Sequence, residues 1–510
     1  MNVSTLLEAQ ASRRGNKTAL ISSSGLITYA ELQERVLRLG GALTALGVTK
    51  GDRVAVVLRN SPRYLEVFYA LARIGAILVP INWRLAAGEI AYVLADSTPS
   101  AAISDAEFLP ALNEAGWGAI PLRIVALGAA GDEVAYEAII QRFEPAPRRD
   151  DVDLDDVLVL MYTSGTTGYP KGAMLTHENI LWTSLNQILE FEIVESDVTL
   201  TVAPMFHVGG LFIFTLPAVH TGSTIVIHDH FDAEQVLKSF AADGITTMFG
   251  APTMYEMLVR SAVGTQPKAD RLRYVVAGGA PLPRATAEAF NRLFPQIRLT
   301  EGYGMTEASS CTSVLPPAEA ESRHGSIGLP FVHCEWRIAD SRGVDVAVGT
   351  RGELLLAGPT TMRGYWNRPT ETEAAFWGRW LRTGDVAQMD KDGYVYLVDR
   401  VKDMIISGGE NVYPKEVERV LEAHPAIAEA AVFGLPDDLW GETVGAVVVL
   451  RENAMLTAGD VVDYCAAQMA GFKKPRRVWI RSELPRNASG KVLKYQLREA
   501  LRAEAGLPLR

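Results

Sequence analysis

The chain has 510 residues, of which 48% are hydrophobic and 21% are charged, as in an ordinary folded globular protein. At roughly 150 residues per domain, this length predicts roughly two to four domains, which need no disulfides or structural metals for stability. The 49 Lys and Arg residues against 60 Asp and Glu residues give a net charge of −11. This acidic balance argues against a general nucleic-acid binder, although it leaves a local basic patch open.

The cysteines and the N-terminus indicate the cellular compartment. Cys311, Cys334 and Cys465 are odd in number and widely spaced, so they form neither a disulfide framework nor a metal motif, and a reducing compartment fits best. The first residues lack the apolar stretch of a signal peptide. The longest apolar run, residues 208–219, is shorter than the ~18 residues that cross a bilayer. The sequence predicts a soluble cytoplasmic protein.

Helices and short apolar strands alternate through the first half of the chain. Thr28 and Glu31 have the spacing of a capping box before a helical pattern. The run RVAVVL then predicts a buried strand, PRYLEVFYALARIG a helix and AILVPI a second strand. Further strands are predicted at residues 224–227, 246–249 and 274–276. This alternation predicts an α/β fold whose sheets are mostly parallel and covered on both faces.

Two changes of composition divide the chain. The polar, acidic stretch at residues 145–156 is typical of a surface connection between two lobes. Near residues 399–403 the elements become shorter, which predicts a large N-terminal domain over 1–400 and a smaller α+β domain over 401–510. The predicted elements of the smaller domain are a helix from Lys415, strands at 430–433 and 444–450, a helix from Ala458 and a strand at 477–480.

The segment YTSGTTGYPKG, residues 162–172, is the most informative one for chemistry. It follows the apolar run VLVLM, so it starts at the carboxyl end of a strand. Its glycines allow close backbone approach to an anion, its hydroxyls donate hydrogen bonds, and Lys171 adds a positive charge. Lys171 precedes Gly172 rather than Ser or Thr, so the segment is no Walker A motif. Composition alone also fits a flexible surface loop.

Seven further motifs occur in a fixed order along the chain. They are APMFHVGG, AGGAPLP, EGYGMTE, RTGD, DRVKD, SGGENVYPKEVE and PRNASGKVLK. The sequence predicts that EGYGMTE follows a short strand. Together with the Gly-rich segment, these motifs resemble the AMP-forming adenylating superfamily, which includes acyl-CoA synthetases, aryl-CoA ligases, luciferases and peptide-synthetase adenylation domains. The resemblance covers nearly the whole chain. It implies that the protein joins a carboxylic acid to ATP, releases pyrophosphate and transfers the acyl group from AMP to a thiol.

The resemblance also implies roles for individual residues, with ATP, Mg²⁺ and CoA as the small molecules bound. The residues implied for the β- and γ-phosphates form a loop of Thr163, Ser164, Gly165, Thr166, Thr167 and Gly168 with Lys171. The residues implied for the adenine side are Gly278, Gly279, Ala280, Gly302, Tyr303 and Gly304. Thr306 is implied at the α-phosphate, Glu307 at Mg²⁺, and Asp385 with Arg400 at the ribose. Lys491 enters the site during adenylation. For transfer, the C-terminal domain rotates about Lys402, and the loop Ser407, Gly408, Gly409 and Glu410 faces CoA. Alone, RTGD is usually a turn, Tyr303 is core packing and Lys491 is a solvated lysine.

The acid pocket is predicted from the same resemblance. Its residues are His207, Gly250, Ala251, Gly278 and Ser310. His207 stands where amino-acid-activating relatives commonly carry Asp, so amino-acid activation is disfavoured. The predicted substrate is a medium- or long-chain fatty acid, slightly ahead of aryl acids such as cinnamate or benzoate. A histidine in an apolar stretch is otherwise more often a satisfied core residue.

Two positions depart from the commonest pattern, and two functional alternatives stay open. Glu301 precedes Gly302 where many members have Gln or Asn, which leaves its role in doubt, and Lys402 is a family variant of Asp.

The alternatives are a nucleotide-binding protein of this fold without ligase activity and a membrane-associated partner protein. The segment at 476–481 and the cluster at 271–273 are candidates for weak lipid contact, although each is more typical of a solvated face. Homodimer formation is left open.

Overall fold

The protein is described by a computed structural model. It covers residues 2–128, 131, 133–163, 170–264, 267–400, 403, 405–407, 410–437, 441–469, 471, 473–486 and 492–504. The chain forms two compact units, one of Met1–Trp336 with Leu356–Leu381 and one of Arg337–Leu355 with Arg382–Arg510. The domain boundary predicted after residue 400 stays a prediction, since three of the next four residues, 401, 402 and 404, lie outside the described part.

The helices include those predicted for the first half of the chain, and Thr28 and Glu31 form the predicted capping box. The α-helices are α1 (Ser4–Arg14), α2 (Tyr29–Ala45), α3 (Pro62–Ile74), α4 (Ala87–Ser97), α5 (Leu109–Glu114), α6 (Tyr136–Arg142), α7 (His177–Glu190), α8 (Val208–Phe212), α9 (Thr215–Thr221), α10 (Ala233–Ala242), α11 (Pro252–Ser261), α12 (Arg284–Leu293), α13 (Pro369–Ala374), α14 (Pro414–Glu422), α15 (Ala458–Gln468) and α16 (Lys494–Glu504). Short 3₁₀ helices occur at Ala106–Phe108, Trp117–Ala119, Thr306–Ala308 and Pro317–Glu319.

The strands follow the apolar runs of the sequence. They are β1 (Thr18–Ser22), β2 (Gly25–Thr28), β3 (Arg53–Val57), β4 (Ile77–Pro80), β5 (Ala101–Ser104), β6 (Leu122–Val125), β7 (Val134–Ala135), β8 (Val157–Thr163), β9 (Lys171–Thr176), β10 (Val198–Thr201), β11 (Thr224–Ile227), β12 (Thr247–Gly250), β13 (Tyr274–Gly278), β14 (Arg298–Met305), β15 (Ser310–Val314), β16 (Ser326–Pro330), β17 (Glu335–Ala339), β18 (Arg351–Ala357), β19 (Phe376–Trp377), β20 (Trp380–Met389), β21 (Val395–Arg400), β22 (Ile405–Ser407), β23 (Glu410–Val412), β24 (Ile427–Asp437), β25 (Gly441–Leu450) and β26 (Arg477–Arg481).

Two mostly parallel sheets build the first unit. The first sheet is seven-stranded, in the order β7-β6-β5-β3-β4-β8-β9, and only its last pair is antiparallel. The second sheet runs β16-β15-β14-β13-β12-β10-β11-β1-β2, parallel from β14 to β1 and antiparallel at both ends. The predicted fold class is confirmed. In both sheets the central strands are buried, as parallel strands covered on both faces should be.

One motif lies differently from the prediction. EGYGMTE was expected to follow a strand, but Glu301 to Met305 form the second half of β14. The reason is that β14 runs past its parallel neighbour β13 and pairs antiparallel with β15, with Gly302 opposite Val314 and Met305 opposite Ser310. Glu301 and Gly302 therefore pair with β13, and Gly302 to Met305 pair with β15, so these residues belong to the sheet and not to a loop.

The second unit contains every element predicted beyond Lys415. There α14 and α15 accompany a sheet in the order β23-β22-β25-β24, and β26 pairs with β25. Its core includes buried residues of these strands and helices, such as Val417, Ile427, Val448 and Cys465. Among the described residues, none of the helices has the length and apolar character that a bilayer crossing requires. The apolar run 208–219 is divided between α8 and α9.

Candidate active site

The Gly-rich segment connects two paired strands. Thr163 ends β8, Lys171 begins β9, and the two residues lie opposite each other in the antiparallel pair. The predicted position at the carboxyl end of a strand is therefore confirmed. Ser164, Gly165, Thr166, Thr167 and Gly168 lie outside the described residues.

Glu307 lies beside these two residues, on the 3₁₀ helix that follows β14. Its carboxylate oxygen Oε1 accepts a hydrogen bond from the Tyr365 hydroxyl at 2.9 Å and a longer one from the Thr163 hydroxyl at 3.4 Å. Its carbonyl oxygen accepts from the Met362 N–H at 2.7 Å. The carboxylate is thus held in place from both its side chain and its backbone.

Tyr365 is a site residue that the sequence did not reveal. The Lys171 ammonium nitrogen lies 5.3 Å from the centre of the Tyr365 ring, within the range of a cation–π contact. Burial and the neighbouring Glu307 carboxylate raise the pKa of Tyr365, so its hydroxyl stays protonated and can donate at neutral pH. One side chain therefore contacts both a predicted phosphate ligand and the predicted Mg²⁺ ligand. Its only sequence signal is the short run Gly-Tyr-Trp.

The Gly-Gly-Ala segment lies at the end of β13. Gly278 is opposite Gly302 on β14, and Gly279 has a φ of +85°, which favours glycine. The Glu301 carboxylate accepts a hydrogen bond from the Leu282 N–H at 2.7 Å. Burial raises the pKa of Glu301 to about 7, against the opposing effect of this hydrogen bond. Glu301 therefore fastens the segment after Ala280 to β14.

His207 caps the N-terminus of α8, where its Nδ1 accepts a hydrogen bond from the Gly209 N–H at 3.4 Å. The side chain is accessible to solvent, yet the surrounding protein lowers the pKa of the imidazole by desolvation. Both properties together indicate a ring that lines a cleft, which makes it neither a core residue nor an ordinary surface residue. The imidazole is therefore neutral at pH 7.

Phe249 lies between two of the glycines near His207, and the sequence did not single it out. It is only half-buried although it lies on the central strand β12. A Cβ on Gly209 would come within 2.6 Å of the Phe249 ring, and one on Gly278 within 3.1 Å. Behind the ring, towards β10 and α9, the remaining void is about 10 Å³. Phe249 thus adjoins both Gly278, a predicted pocket residue, and this small void.

Ser310 connects the acid side of this region with the phosphate side. Its hydroxyl lies 3.5 Å from the Val208 carbonyl oxygen, and it is three residues beyond Glu307. Ser310 has a φ of 127° and Ser309 one of 61°, conformations that residues with a Cβ rarely adopt. Of the other predicted pocket residues, Gly250 is buried against Tyr255 and Ala251 is half-buried.

The remaining predicted site residues belong to the second unit. Asp385 lies in β20, is only 5% exposed, and its N–H donates to the Thr383 hydroxyl at 3.0 Å. Arg400 is its partner in the register of β20 and β21. Ser407 ends β22 and is opposite Glu410 at the start of β23. Lys402, Gly408, Gly409 and Lys491 lie outside the described residues.

Comparison with known proteins identifies the family. The family model for AMP-binding enzymes matches residues 7–366, and the model for the C-terminal domain of AMP-binding enzymes matches residues 416–491. A feruloyl-CoA synthase from Amycolatopsis is 40% identical over 94% of this chain and 95% of that protein. An indoleacetate–CoA ligase from Aromatoleum aromaticum is 38% identical over 98% of both chains. A long-chain-fatty-acid–CoA ligase from Mycobacterium tuberculosis is 35% identical over 93% of both.

Comparison with solved structures gives the same family. The crystal structure of ATP-bound MatB from Rhodopseudomonas palustris matches 98% of this chain and 99% of its own, with a TM-score of 0.89 at 30% identity. ATP and CoA are accordingly the co-substrates of this chain, and the resemblance read from the eight motifs is confirmed. The chain belongs to the AMP-binding enzyme family, as an ATP-dependent acid–CoA ligase.

Proposed function

We propose that the acid this ligase activates is aromatic, of the arylpropenoate or arylacetate type. The observation that carries the proposal is the position of Phe249. Its ring is partly accessible, lies close to Gly209, two residues after His207, and lines a void of about 10 Å³, room for no more than about one water molecule. A methylene chain has no space on that side, whereas a planar ring can lie against the phenyl face.

The comparisons support this choice over the fatty acid predicted from the sequence, which stays the second candidate. The two relatives with 40% and 38% identity are named for ferulate and indoleacetate, both aromatic acids. The fatty-acid ligase at 35% identity and the small residues Gly250 and Ala251 support the second candidate.

The chemistry follows the two steps of the family. A carboxylate oxygen of the acid attacks the α-phosphorus of ATP, and the bond to the bridging oxygen breaks as pyrophosphate leaves. The thiolate sulfur of CoA then attacks the acyl carbon, and AMP leaves with the electrons of the C–O bond. Because negative charge builds on phosphoryl oxygens in the first step, catalysis depends mainly on positioning and electrostatics.

Individual roles are part of the proposal. Thr163 and Lys171 with the adjoining loop hold the β- and γ-phosphates, and Thr306 contacts the α-phosphate. Tyr303 lies against adenine, and Glu301 fixes the loop beside it. In the second unit Asp385 and Arg400 bind the ribose, while Lys491 takes part in adenylation.

Glu307 fits a Mg²⁺ ligand. Both of its hydroxyl donors bond Oε1, so in the described part of the chain Oε2 is left for a cation. The described residues contain no cluster of three or more His, Cys, Asp or Glu side chains suited to a metal. One carboxylate completed by substrate phosphates and water is a common arrangement for Mg²⁺. The ion would neutralise phosphate charge there.

A panel of acids tests the proposed substrate. CoA-dependent pyrophosphate release is measured with cinnamate, ferulate, indoleacetate, octanoate and hexadecanoate. We expect kcat/KM to be at least tenfold higher for an aromatic acid than for either fatty acid. Phe249→Ala should open the void and raise the relative activity with octanoate. A wild-type preference for hexadecanoate would refute the aromatic proposal and support the second candidate.

The remaining functional predictions concern ligase activity, lipid contact, location and assembly. Phosphate and ADP as products, instead of pyrophosphate and AMP, would indicate a nucleotide-binding protein without ligase activity. For lipid contact, Arg273 is a poor candidate because its guanidinium is paired with Asp197 at 2.6 Å. Cytoplasmic location and homodimer formation stay predictions.

A further inference from the structure

Asn60 connects the two sheets of the first unit at the acid site. It follows β3 of the first sheet and is only 7% exposed. Its side-chain oxygen accepts a hydrogen bond from the Met205 N–H at 2.8 Å, and its amide nitrogen donates to the Ala203 carbonyl at 2.9 Å. Both partners belong to the segment that follows β10 in the second sheet. The Asn60 amide thus accepts one hydrogen bond from and donates one to the same short loop, residues 203–205.

This loop carries His207. Ala203 to Met205 connect β10 to Phe206 and His207, and the His207 N–H donates to the Pro204 carbonyl at 3.2 Å. The same carbonyl packs so closely on α8 that a Cβ on Gly210 would lie 2.2 Å from its oxygen. A shift of the loop therefore shifts both the His207 ring and the start of α8.

The two backbone groups depend on Asn60. Within the described residues, no other group bonds the Met205 N–H or the Ala203 carbonyl. Without the amide both would be left without partners in a buried place, which is costly for backbone groups. The loop would then move to regain hydrogen bonds.

We propose that Asn60 is a positioning residue for the acid half of the site, which sets His207 against the carboxylate that is to be activated. The proposal depends on the acid–CoA ligase activity and on His207 lining the acid pocket, but not on the acid being aromatic. Among the described residues, the Asn60 side chain bonds Ala203 and Met205 and forms no hydrogen bond with Lys171, Glu307 or Tyr365. Its effect should therefore fall on the acid and spare ATP.

The test separates the two substrates kinetically. Pyrophosphate release is measured against the concentration of acid and, separately, of ATP, with the acid of the cinnamate-to-hexadecanoate panel that the wild type uses best. For Asn60→Ala we expect kcat/KM for the acid to fall about 10- to 100-fold, the scale of buried groups left unsatisfied. The KM for ATP should change less than twofold.

Two further variants, Asn60→Asp and Asn186→Ala, distinguish a positioning role of Asn60 from a general loss of stability. Asn60→Asp keeps the size and accepts from Met205 but cannot donate to Ala203 when ionised, so it should lie between wild type and Asn60→Ala. If Asn60→Ala fails to fold, this variant carries the test. Asn186→Ala is the matched control, because Asn186 is a fully buried amide whose partners are His333 and Cys334. The Asn186→Ala variant should unfold at a lower temperature than the wild type, without an increase in the KM for the acid.

Equal losses for acid and ATP in both Asn60 variants, or an acid KM that rises as much in Asn186→Ala, would overturn the proposal. Absence of pyrophosphate release by the wild type with every acid would instead count against the substrate proposal.

Discussion

The hydroxyl of Tyr365 and the carboxylate of Glu307 form a 2.9 Å hydrogen bond that ties together two segments 58 residues apart. The bond fixes one carboxylate oxygen, and the other would be free to bind the proposed Mg²⁺. The ring of the same tyrosine lies under the Lys171 ammonium. The Tyr365 side chain thus contacts both a lysine and a glutamate of the proposed phosphate site.

Tyr365→Phe should therefore weaken the nucleotide half of the site. It keeps the ring beneath Lys171 but removes a hydrogen bond to a charged acceptor, worth about 1.5–3 kcal/mol. We expect kcat/KM for ATP to fall about 10- to 100-fold and the Mg²⁺ concentration for half-maximal rate to rise, as measured by pyrophosphate release. Tyr136→Phe is the control, since Tyr136 makes a 2.7 Å bond of the same kind to Glu66 away from the site. Unchanged Mg²⁺ dependence in Tyr365→Phe would contradict the assigned role.

Glu301→Gln should change how stability depends on pH. The folded-state pKa is raised from 4.5 to about 7, so between these values the folded protein binds more protons than the unfolded chain. The stability of the wild type relative to Glu301→Gln should therefore fall as pH rises from about 4.5 to about 7 and stay constant above that. Thermal unfolding of both proteins across this range measures it. Parallel curves would mean that the carboxyl group titrates normally.

Ser310→Gly should stabilise the protein. The φ of 127° at Ser310 is strained for a residue with a Cβ, at a cost of about 1–3 kcal/mol, and glycine removes that cost. The lost hydroxyl contributes little because its bond is 3.5 Å long. The thermal midpoint should rise. The control is Ser313→Gly, in the same strand, which loses a 2.9 Å bond to the Ile327 carbonyl and should be destabilising.

Lys491→Ala should separate the two half-reactions. If Lys491 contacts the developing phosphoryl charge, its loss should slow adenylation at least about 100-fold, the scale of one lost transition-state donor. Transfer of the acyl group from pre-formed acyl-AMP to CoA should be retained. Both steps are measured separately, by pyrophosphate release and by thioester formation. Equal losses would assign Lys491 a structural role.

The sequence predicted the alternating elements well because each depends on local patterning. The capping box at Thr28 and the strands of the parallel sheets are examples, since hydrophobic periodicity and caps involve near neighbours. The position of Thr163 at a strand end was predictable for the same reason.

The residues that organise the site were not predictable in this way. Tyr365 and Glu307 are 58 residues apart in the sequence, and Asn60 and Ala203 are 143 apart. No local sequence pattern can therefore predict either contact. In the sequence Phe249 is an ordinary strand residue, and its proximity to Gly209 and Gly278 is visible only in the structure. The left-handed backbone at Ser310 is equally hidden, because serine is not a residue that favours it.

Strand β14 carries three of the proposed adenine-side residues, Gly302, Tyr303 and Gly304, and ends at the residue before Thr306 and Glu307. If these residues have the proposed roles, the extended backbone of β14, at about 3.3 Å per residue, would set the distance between the residues at the base and those at the phosphates. Inserting or deleting one residue between Tyr303 and Met305 would change that length and turn the following side chains to the opposite face. Engineered length changes should therefore be placed in the connection from β15 to β16, where the spacing of the nucleotide contacts is unaffected.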